Sequence, residues 1–193
     1  MLVYGAIRVG TATQDISHFA ALYDQYYGRV YNYIRYRCDD PALAEDLTAQ
    51  VFERLLVHLG KYSPERGPFE PWLFAIVRNV VADHFRAQRR LAWMSWDLFE
   101  RQPSADTAPE DRVIERQAHA ALSEALKQLN ERERDLIGLK FAGGLNNREI
   151  AQLTGLSESN VGVSLYRAIN RLRAALSPSD GMVCEKELSD GRA

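Results

Sequence analysis

The sequence predicts an all-α protein that consists of two small helical domains joined by a linker. Apolar residues recur every three or four positions through residues 16–90 and again through residues 118–177, which is the period of an amphipathic helix. The apolar–polar alternation that would indicate a strand is not found. Between the two blocks, residues 91–117 contain two prolines and lose the helical period after Phe99, as a linker does.

Length, composition and charge narrow the possible classes of protein. A chain of 193 residues can form two small domains, and 46% hydrophobic residues can supply their cores. The formal net charge of −2 excludes DNA binding through overall charge, so any DNA contact needs a local basic face or a partner protein. Residues 1–15 are assigned to an N-terminal extension and residues 178–193 to a polar tail.

The sequence carries no sign of export or membrane insertion. No apolar run approaches the roughly 18 residues of a membrane-spanning helix. The N-terminus shows neither the basic start nor the long apolar core of a signal peptide. The two cysteines, Cys38 and Cys184, lie far apart and fit free thiols in a reducing cytoplasm. We therefore expect a cytoplasmic protein without direct membrane insertion.

The first two predicted helices carry an aromatic and an acidic face. The first is marked by residues spaced three or four apart, namely Phe19, Leu22, Tyr23, Tyr26, Val30, Tyr33, Ile34 and Arg37. Its tyrosines suit core and rim packing better than base stacking. Asp40 and Pro41 predict the N-cap and the first residue of a second helix, which Gly60 is expected to end. The second helix has the apolar stripe Leu43, Leu47, Val51, Leu55 and Leu59 and the acidic outer residues Glu45, Asp46 and Glu53.

A basic helix is predicted after a loop of prolines and glycines. Residues 61–71 are too rich in these residues to be helical, and Pro71 predicts the start of the third helix. Its predicted buried face is Trp72, Leu73, Ile76, Val77, Val80, His84 and Phe85, and its polar face is Arg78, Asn79, Asp83, Arg86, Arg89 and Arg90. Four arginines against one aspartate give this helix a charge of +3, whereas five acidic residues against one arginine give residues 39–60 a charge of −4. Opposite signs indicate two different partner surfaces, although solvated helix faces would give the same pattern.

The second block contains the layout of a helix-turn-helix. Its first helices are marked by Ala118, Ala121, Leu122, Ala125, Leu126 and Leu129, and then by Leu136, Ile137 and Phe141. Asn130 with Glu133, and Asn146 with Glu149, predict two capping boxes. Gly155 stands where a chain that leaves a helix needs a positive φ.

The last predicted helix has a polar face that suits the major groove of DNA. Ser157 is its expected N-cap. The apolar stripe is Val161, Leu165, Ile169, Leu172 and Leu176, and the polar face is Ser159, Asn160, Ser164, Arg167, Asn170 and Arg171. In helix-turn-helix proteins this helix enters the groove with its N-terminal residues toward the base edges. An ordinary helical hairpin is the competing interpretation, and the motif does not separate a repressor, an activator and a polymerase subunit.

Residues for catalysis or metal binding are not recognisable in the sequence. The histidines are His18, His58, His84 and His119, and none lies at a metal-ligand spacing from a cysteine or carboxylate. His84 falls on an apolar stripe and is expected to be a core residue. Phosphate-loop, nucleophile-elbow and zinc-protease motifs are absent. We expect no enzyme activity, no metal, no cofactor and no small-molecule substrate.

Three stretches, in this order, resemble the extracytoplasmic-function sigma factors of bacteria. The opening of sigma region two resembles FAALYDQYYGRVYNYIRYRCDDPALAEDLTAQVFERL. The promoter-melting and −10 segment of the family is similar to FEPWLFAIVRNVVADHFR. Region four is similar to LNERERDLIGLKFAGGLNNREIAQLTGLSESNVGVSLYRAINRLR. The resemblance covers residues 16–177, without the regions one and three of housekeeping sigma factors.

The resemblance implies a subunit that joins core RNA polymerase, recognises the −10 and −35 elements of promoter DNA and helps to open the duplex. Polymerase binding is expected of Glu45, Asp46, Gln50 and Glu53. Binding of the −10 element is expected of Lys61, Phe69, Trp72, Arg78, Asn79, Asp83, Arg86, Arg89 and Arg90. Binding of the −35 element is expected of Arg148, Ser157, Ser159, Asn160, Ser164, Arg167 and Arg171. An anti-sigma factor is a further implied partner.

Four positions complicate this assignment. Trp72 lies on the predicted buried stripe, so core packing competes with base stacking. Ala49 stands where relatives often have Gln, which weakens one expected polymerase contact. Gly162 and Ser164 stand where Lys and Arg are usual, which removes two cations from the groove face. The competing class is a free-standing helix-turn-helix regulator, which would explain residues 110–177 but not the basic third helix.

Overall fold

The computed structural model describes residues 9–94 and 121–177, with side chains placed over 19–91 and 121–177. Helices and turns make up these ranges, in agreement with the predicted all-α class. Within the same ranges no helix is long and apolar enough to span a membrane. Most of the predicted linker, the tail and the first eight residues lie outside the described residues, and the predicted domain boundaries there stay predictions.

Three long helices form the first half of the structure. Helix α1 spans Val9–Arg37, so it begins inside the segment that the sequence assigned to an extension. Helix α2 spans Pro41–His58, and the side chain of Asp40 accepts hydrogen bonds from two backbone amides of its first turn, which confirms the predicted cap. Helix α3 spans Phe69–Met94. The rest of the half is the connection between α2 and α3.

The predicted ends of α2 and α3 were wrong by a few residues. Helix α2 ends before Gly60, because Leu59–Lys61 tightens into a 3-10 turn, and a second such turn follows at Pro64–Arg66. Helix α3 begins before Pro71, which is tolerated in a first turn where the missing amide has no partner to lose. It also continues past residue 90, where the linker was expected to start.

Helix α3 is buried on a broader face than the sequence predicted. Its fully buried residues are Leu73, Phe74, Val77, Val80 and Val81. Phe74 and Val81 were not in the predicted stripe, whereas Trp72, His84 and Phe85 are only half-buried. The difference arises because α3 contacts α1 and α2 on one side and the second half of the chain on another.

Several short helices and one long helix form the second half. The described part of α4 covers residues 121–127, and α5 spans Glu131–Ile137. A wider π-helical turn, Gly138–Ala142, follows directly. Helices α6, Asn147–Thr154, and α7, Glu158–Leu176, form the helix-turn-helix.

The local signals of the helix-turn-helix are confirmed in detail. Both capping boxes form, with Asn130 and Glu133 at the start of α5 and Asn146 and Glu149 at the start of α6. Gly155 ends α6 with a φ of 73°, which a side chain would strain. The side chain of Ser157 accepts a hydrogen bond from the amide of Asn160, as an N-cap does.

Four residues of the predicted apolar stripes are exposed instead of buried, namely Tyr23, Ala121, Phe141 and Leu176. Phe141 lies in the π-helical turn, which widens the helix and rotates its side chain away from the core. Leu176 is the last residue of α7 and extends past the helices that cover the stripe. Ile169 and Leu172 are half-buried against the core, as expected for the outer end of a stripe.

One continuous apolar core joins the two halves. Helix α1 packs against α5 and the π-helical turn, and α3 packs against α6. The closest approach is at Gly138, where a Cβ atom would lie 2.7 Å from Cδ2 of Tyr33. Glycine is therefore required there for α1 to approach. Full burial of a Val, Leu, Ile, Phe or Met side chain stabilises a protein by roughly 1.5–3 kcal/mol. The apolar core that the two halves share therefore favours contact between them.

We predict that Asn146→Ala destabilises the second half by about 1 kcal/mol, because the first amides of α6 lose their side-chain acceptor. Asn146→Asp retains an acceptor at the same position and is expected to stay within a few tenths of a kcal/mol of wild type. Urea unfolding followed by circular dichroism measures both variants. Equal midpoints for the Ala and Asp variants would show that the capping box carries no net stability.

Candidate polymerase and nucleic-acid interfaces

Helix α2 presents the predicted acidic residues to solvent on one side. Glu45, Asp46, Gln50 and Glu53 are all exposed, while the opposite side of the helix is buried. In the part of the chain that the structure describes, no ion pair involves these three carboxylates. We name these four residues the acidic face. Its carboxylates are available to a cationic partner.

Apolar residues extend the acidic face at the C-terminal end of α2. Leu56 and Val57 are exposed, Val57 to 73%. Neighbouring exposed apolar side chains beside a charged surface are typical of a protein-binding site. Sequence reasoning missed them because they fall outside the apolar stripe of the helix. The sequence signal was the pair of consecutive apolar residues Leu56 and Val57. Consecutive residues of a helix point in different directions, so the apolar stripe could not bury both.

The loop before α3 is held by a cluster of aromatic rings. Tyr62 and Phe69 lie 5.2 Å apart between ring centroids, and Trp72 lies 5.2 Å from Tyr62 and 5.6 Å from Phe69. The hydroxyl of Tyr62 donates to the carbonyl of Gly67, a residue with a φ of 142°. Phe69 and Trp72, predicted to contact the −10 element, therefore pack against neighbours and are half-buried. Tyr62 was missed by sequence reasoning.

A hydrogen bond fixes the first turn of α3 to α1. The hydroxyl of Tyr26 donates to a carboxylate oxygen of Glu70 at 2.9 Å. Burial, followed by the hydrogen bond to Glu70, raises the pKa of Tyr26 to about 12. The hydroxyl therefore stays protonated and remains a donor at neutral pH. Lys61, by contrast, lies exposed at the other end of the loop.

The predicted polar face of α3 consists of two separate surfaces. Asn79, Arg86 and Arg90 are exposed on one strip, and Asp83 lies half-exposed among them. Asp83 pairs with Arg86 at 3.0 Å and with Arg54 of α2 at 3.1 Å. We name Asn79, Asp83, Arg86 and Arg90 the α3 strip. Its spacing of four, three and four residues places it on one side of the helix.

Arg78 and Arg89 lie on a different side of α3 and contact the second half. Arg89 pairs with Glu131 at 2.5 Å. Arg78 donates to Oδ2 of Asp135 from Nε at 3.1 Å and from Nη2 at 3.0 Å. A third bond runs from Arg78 to the carbonyl of Leu153 at 2.6 Å. In this arrangement neither arginine belongs to the exposed strip with which the sequence grouped it.

Asp135 is the centre of the contact between the halves. Its side chain also accepts from the hydroxyl of Tyr33 at 2.5 Å and lies 3.9 Å from a guanidinium nitrogen of Arg37. Burial, together with the Asp135 charge, raises the pKa of Tyr33 well above its usual range. Tyr33 is thereby kept protonated as a donor. Sequence reasoning missed Asp135, because a carboxylate within a short capped helix is normally expected to be exposed at the surface.

The recognition helix α7 presents part of its predicted polar face. Ser159, Asn160 and Arg167 are exposed. Ser164 is half-buried and donates to the side chain of Asn160 at 3.2 Å. Arg148 is exposed in the first turn of α6.

Two residues of the predicted −35 set have structural partners. Arg171 donates to both carboxylate oxygens of Glu133 at 2.8 Å and so ties α7 to α5. Ser157 caps α7, so its hydroxyl already serves as a helix acceptor. Val163 and Tyr166 are exposed on the same helix, Tyr166 to 67%, and were missed because apolar residues were assigned to the core. Gly162 lies beside Asn147, whose side-chain nitrogen would be 3.7 Å from an added Cβ.

The described residues supply interfaces and no site for metal chemistry. Among them, no three His, Cys, Asp or Glu side chains converge in a way that could hold a metal ion. The surfaces are instead an acidic one on α2, a mixed and mainly basic one on α3, and a polar one on α7. Surfaces of opposite sign on one chain suit a protein partner and a nucleic acid at the same time.

Each half of the structure matches a known protein family. The sigma-70 region 2 family matches residues 22–91, and the sigma-70 region 4 family matches residues 119–172. The two matches cover more than half of the chain and fall on the two helical halves of the structure.

Individual relatives agree with the family assignment. The chain is 39% identical over 163 residues to the ECF RNA polymerase sigma factor BldN of Streptomyces coelicolor, which covers 84% of this chain and 61% of BldN. It is 37% identical over 134 residues to ShbA of Streptomyces griseus, covering 67% of this chain and 70% of ShbA. To SigM of Bacillus subtilis it is 29% identical, covering 79% of this chain and 91% of SigM.

Solved structures share the fold. The sigma factor RpoE of Bartonella quintana, in complex with the anti-sigma factor NepR, aligns with a TM-score of 0.69 at 20% identity, over 82% of this chain and 96% of that one. CnrH, in complex with the cytosolic domain of CnrY, aligns with a TM-score of 0.61 at 24% identity, over 86% of this chain and 94% of that one. With both halves matched by the sigma-70 regions and relatives above 30% identity, the chain belongs to the ECF RNA polymerase sigma factors.

Proposed function

We propose that this chain binds core RNA polymerase, directs it to promoters with −10 and −35 elements, and promotes melting of the duplex. The observation that carries the proposal is the separation of three exposed surfaces along the chain. They are the acidic face, the α3 strip and the exposed polar residues Ser159, Asn160 and Arg167 of α7. Each has the chemistry of a different contact. A net charge of −2 gives weak affinity for free DNA, so attachment to the polymerase supplies the local concentration that the DNA contacts need.

The acidic face is proposed to bind a basic surface of the polymerase. Exposed carboxylates on a rigid helix steer and orient a cationic partner, and α2 is fixed by its cap and by its buried side. Leu56 and Val57 would add apolar area at the edge of this contact. Ala49, where relatives often have Gln, lies exposed within the same face and contributes no hydrogen bond.

The α3 strip and the aromatic loop are proposed to hold the −10 element. Melting requires a base to leave the stack, and a flipped base needs hydrogen-bonding groups with a stacking wall nearby. Asn79 and Arg86 offer such groups on the exposed strip. Phe69 and Trp72 remain candidates for the wall through their exposed edges, while most of their surface belongs to the aromatic cluster.

Helix α7 is proposed to read the −35 element in the major groove. Ser159, Asn160 and Arg167 are exposed near and beyond its N-terminus, where base edges are reached in this motif. Arg148, exposed at the start of α6, is proposed to contact a phosphate. Arg171 is a weaker candidate than the sequence suggested, because a pair with Glu133 competes for its guanidinium.

Further partners and the location follow from the same role. Because RpoE, a solved structure of the same fold, is a sigma factor in complex with the anti-sigma factor NepR, we propose an anti-sigma factor as the regulator of this chain. A sigma factor works where polymerase and chromosome meet, so we propose a cytoplasmic location. The chain itself would recognise and position DNA, and the polymerase would supply the catalysis.

Co-elution with core polymerase tests the proposed function. A sigma factor elutes with the core enzyme in size-exclusion chromatography and shifts promoter DNA only in its presence. A free-standing helix-turn-helix regulator, the alternative class, would shift duplex DNA unaided and elute apart from the core enzyme. The match to region 2 over residues 22–91 disfavours that alternative.

We predict that Asp46→Lys reduces assembly with core polymerase at least tenfold, because a carboxylate that faces a basic surface becomes a like charge. Asp24→Lys makes the same change in charge at an exposed position of a different helix, α1, and is the matched control. Pull-down at moderate salt measures both. Wild-type recovery of the Asp46 variant would show that the acidic face is only a solvated surface.

Asn79→Ala and Arg86→Ala are predicted to impair open-complex formation while leaving polymerase binding intact. Both residues lie on the exposed α3 strip, and neither contacts the acidic face. Permanganate reactivity of unpaired thymines at a mapped promoter reports melting, and pull-down reports assembly. Reactivity equal to wild type in both variants would remove the α3 strip from the melting step.

Gly162→Lys is predicted to steepen the salt dependence of binding to a −35 duplex, whereas Gly162→Ala is not. A Cβ at this position makes only an ordinary contact with Asn147, so both variants fit and both gain about 1 kcal/mol of helix propensity. Only Lys adds a phosphate contact, which steepens the slope of log K against log salt by about 0.9. Equal slopes for the two variants would place position 162 away from the DNA backbone.

A further inference from the structure

Two hydrogen-bonding side chains and a further cation from the first half converge on the carboxylate of Asp135. The hydroxyl of Tyr33 binds Oδ1 at 2.5 Å, and the guanidinium of Arg78 binds Oδ2 through two nitrogens at 3.1 and 3.0 Å. Arg37 adds a positive charge at 3.9 Å. The Asp135 side chain is only 12% exposed, so these groups act on its carboxylate with little competition from water.

The side chains of Tyr33, Arg37 and Arg78 form a built anion site on the first half by itself. Tyr33 and Arg37 lie one turn apart on α1, and Arg78 comes from the adjacent helix α3. The ring of Tyr33 packs edge-on against Phe74 at 5.8 Å, which holds its hydroxyl in place. A planar guanidinium binds the oxygens of a carboxylate and of a phosphate with the same forked geometry. The site therefore suits a phosphate group whenever Asp135 is absent.

We propose that Tyr33, Arg37 and Arg78 form a phosphate-binding site for promoter DNA, which the Asp135 carboxylate occupies while the two halves are packed together. The site rests on the proposed function, since it extends the DNA-binding surface of α3 toward α1. Asp135 acts as an internal competitor of the DNA backbone. Separation of the halves removes the competitor and exposes all three side chains at once.

The other polar contacts between the halves are of a kind that separation can break. Arg89 pairs with Glu131 at 2.5 Å, but both side chains are 63% exposed, and pairs of this type contribute little to stability. Ser123 donates to Asp39 at 3.2 Å on the surface. Arg29 donates to the carbonyl groups of Ala142 and Gly143. Water replaces the partners of all these groups after separation, so the buried Asp135 contact is the polar one most specific to the packed arrangement.

The packed arrangement lowers the apparent affinity for DNA without changing the number of phosphates bound. When only a fraction of molecules is open, the apparent dissociation constant rises by the inverse of that fraction. Loss of Asp135 therefore raises affinity at every salt concentration and leaves the salt slope unchanged. Loss of Arg78 removes a phosphate contact and makes the slope shallower by about 0.9.

The experiment compares Asp135→Asn and Arg78→Gln in the full chain, without polymerase. Fluorescence anisotropy with a short duplex of mixed sequence gives affinity at several salt concentrations, and small-angle X-ray scattering gives the radius of gyration. Asp24→Asn is the charge-matched control for Asp135→Asn. Arg35→Gln is the control for Arg78→Gln, because Arg35 is an α1 cation that bonds the Cys38 carbonyl instead of Asp135. Circular dichroism checks that each variant is folded.

Asp135→Asn is expected to increase the radius of gyration and to raise DNA affinity by on the order of tenfold. A gain of this size corresponds to a wild-type population in which about nine-tenths of the molecules are closed. Arg78→Gln is expected to increase the radius as well, but with the shallower slope and no gain in affinity. Unchanged affinity for folded Asp135→Asn, or a wild-type slope for Arg78→Gln, would overturn the proposal. If Asp135→Asn fails to fold, the slope of Arg78→Gln still decides. The mixed-sequence duplex separates this result from promoter recognition and polymerase assembly, which pull-down tests independently.

Discussion

The buried carboxylate of Asp135 determines how the two halves of this sigma factor meet. A carboxylate taken out of water is costly unless cations and hydrogen bonds replace its hydration, and Tyr33, Arg37 and Arg78 provide that replacement from the opposite half. The apolar core beneath is not selective by itself, since many orientations could bury similar area. The polar contact admits few orientations, and the close approach of Tyr33 to Gly138 narrows them further.

Helix α3 connects this contact with the proposed function. One of its sides holds Arg78 and Arg89 against the second half, and an adjacent side presents the α3 strip to solvent. In the proposed arrangement, the first side becomes available to DNA only when the halves part. A helix with two polar sides would thus link the arrangement of the domains to the affinity of the chain for DNA.

The sequence predicted local structure well because local structure depends on neighbours in sequence. Asp40, the Asn146–Glu149 box and Gly155 act within one turn of a helix, so their roles were readable without a fold. The apolar stripes of α2 and α7 followed from the helical period for the same reason. The acidic face followed too, because no other helix of the described structure covers the side of α2 opposite its buried stripe.

Contacts between distant residues could not be predicted in this way. Arg78 and Asn79 are adjacent in sequence and were grouped together, yet a rotation of about 100° about the helix axis separates their environments. Whether Arg171 meets DNA or Glu133 depends on where α5 lies, which no local pattern specifies. Phe141 was assigned to the core because the π-helical turn that rotates it outward has no clear signature in sequence.

Transcription in a purified system tests the central claim of this account most directly. Core RNA polymerase and the chain would be combined on fragments of genomic DNA, and the 5′ ends of the transcripts would be mapped. The account predicts new start sites that depend on the chain and share two upstream elements at a fixed spacing, because two DNA-binding surfaces act on one polymerase. Transcripts identical to those of the core enzyme without the chain would contradict it.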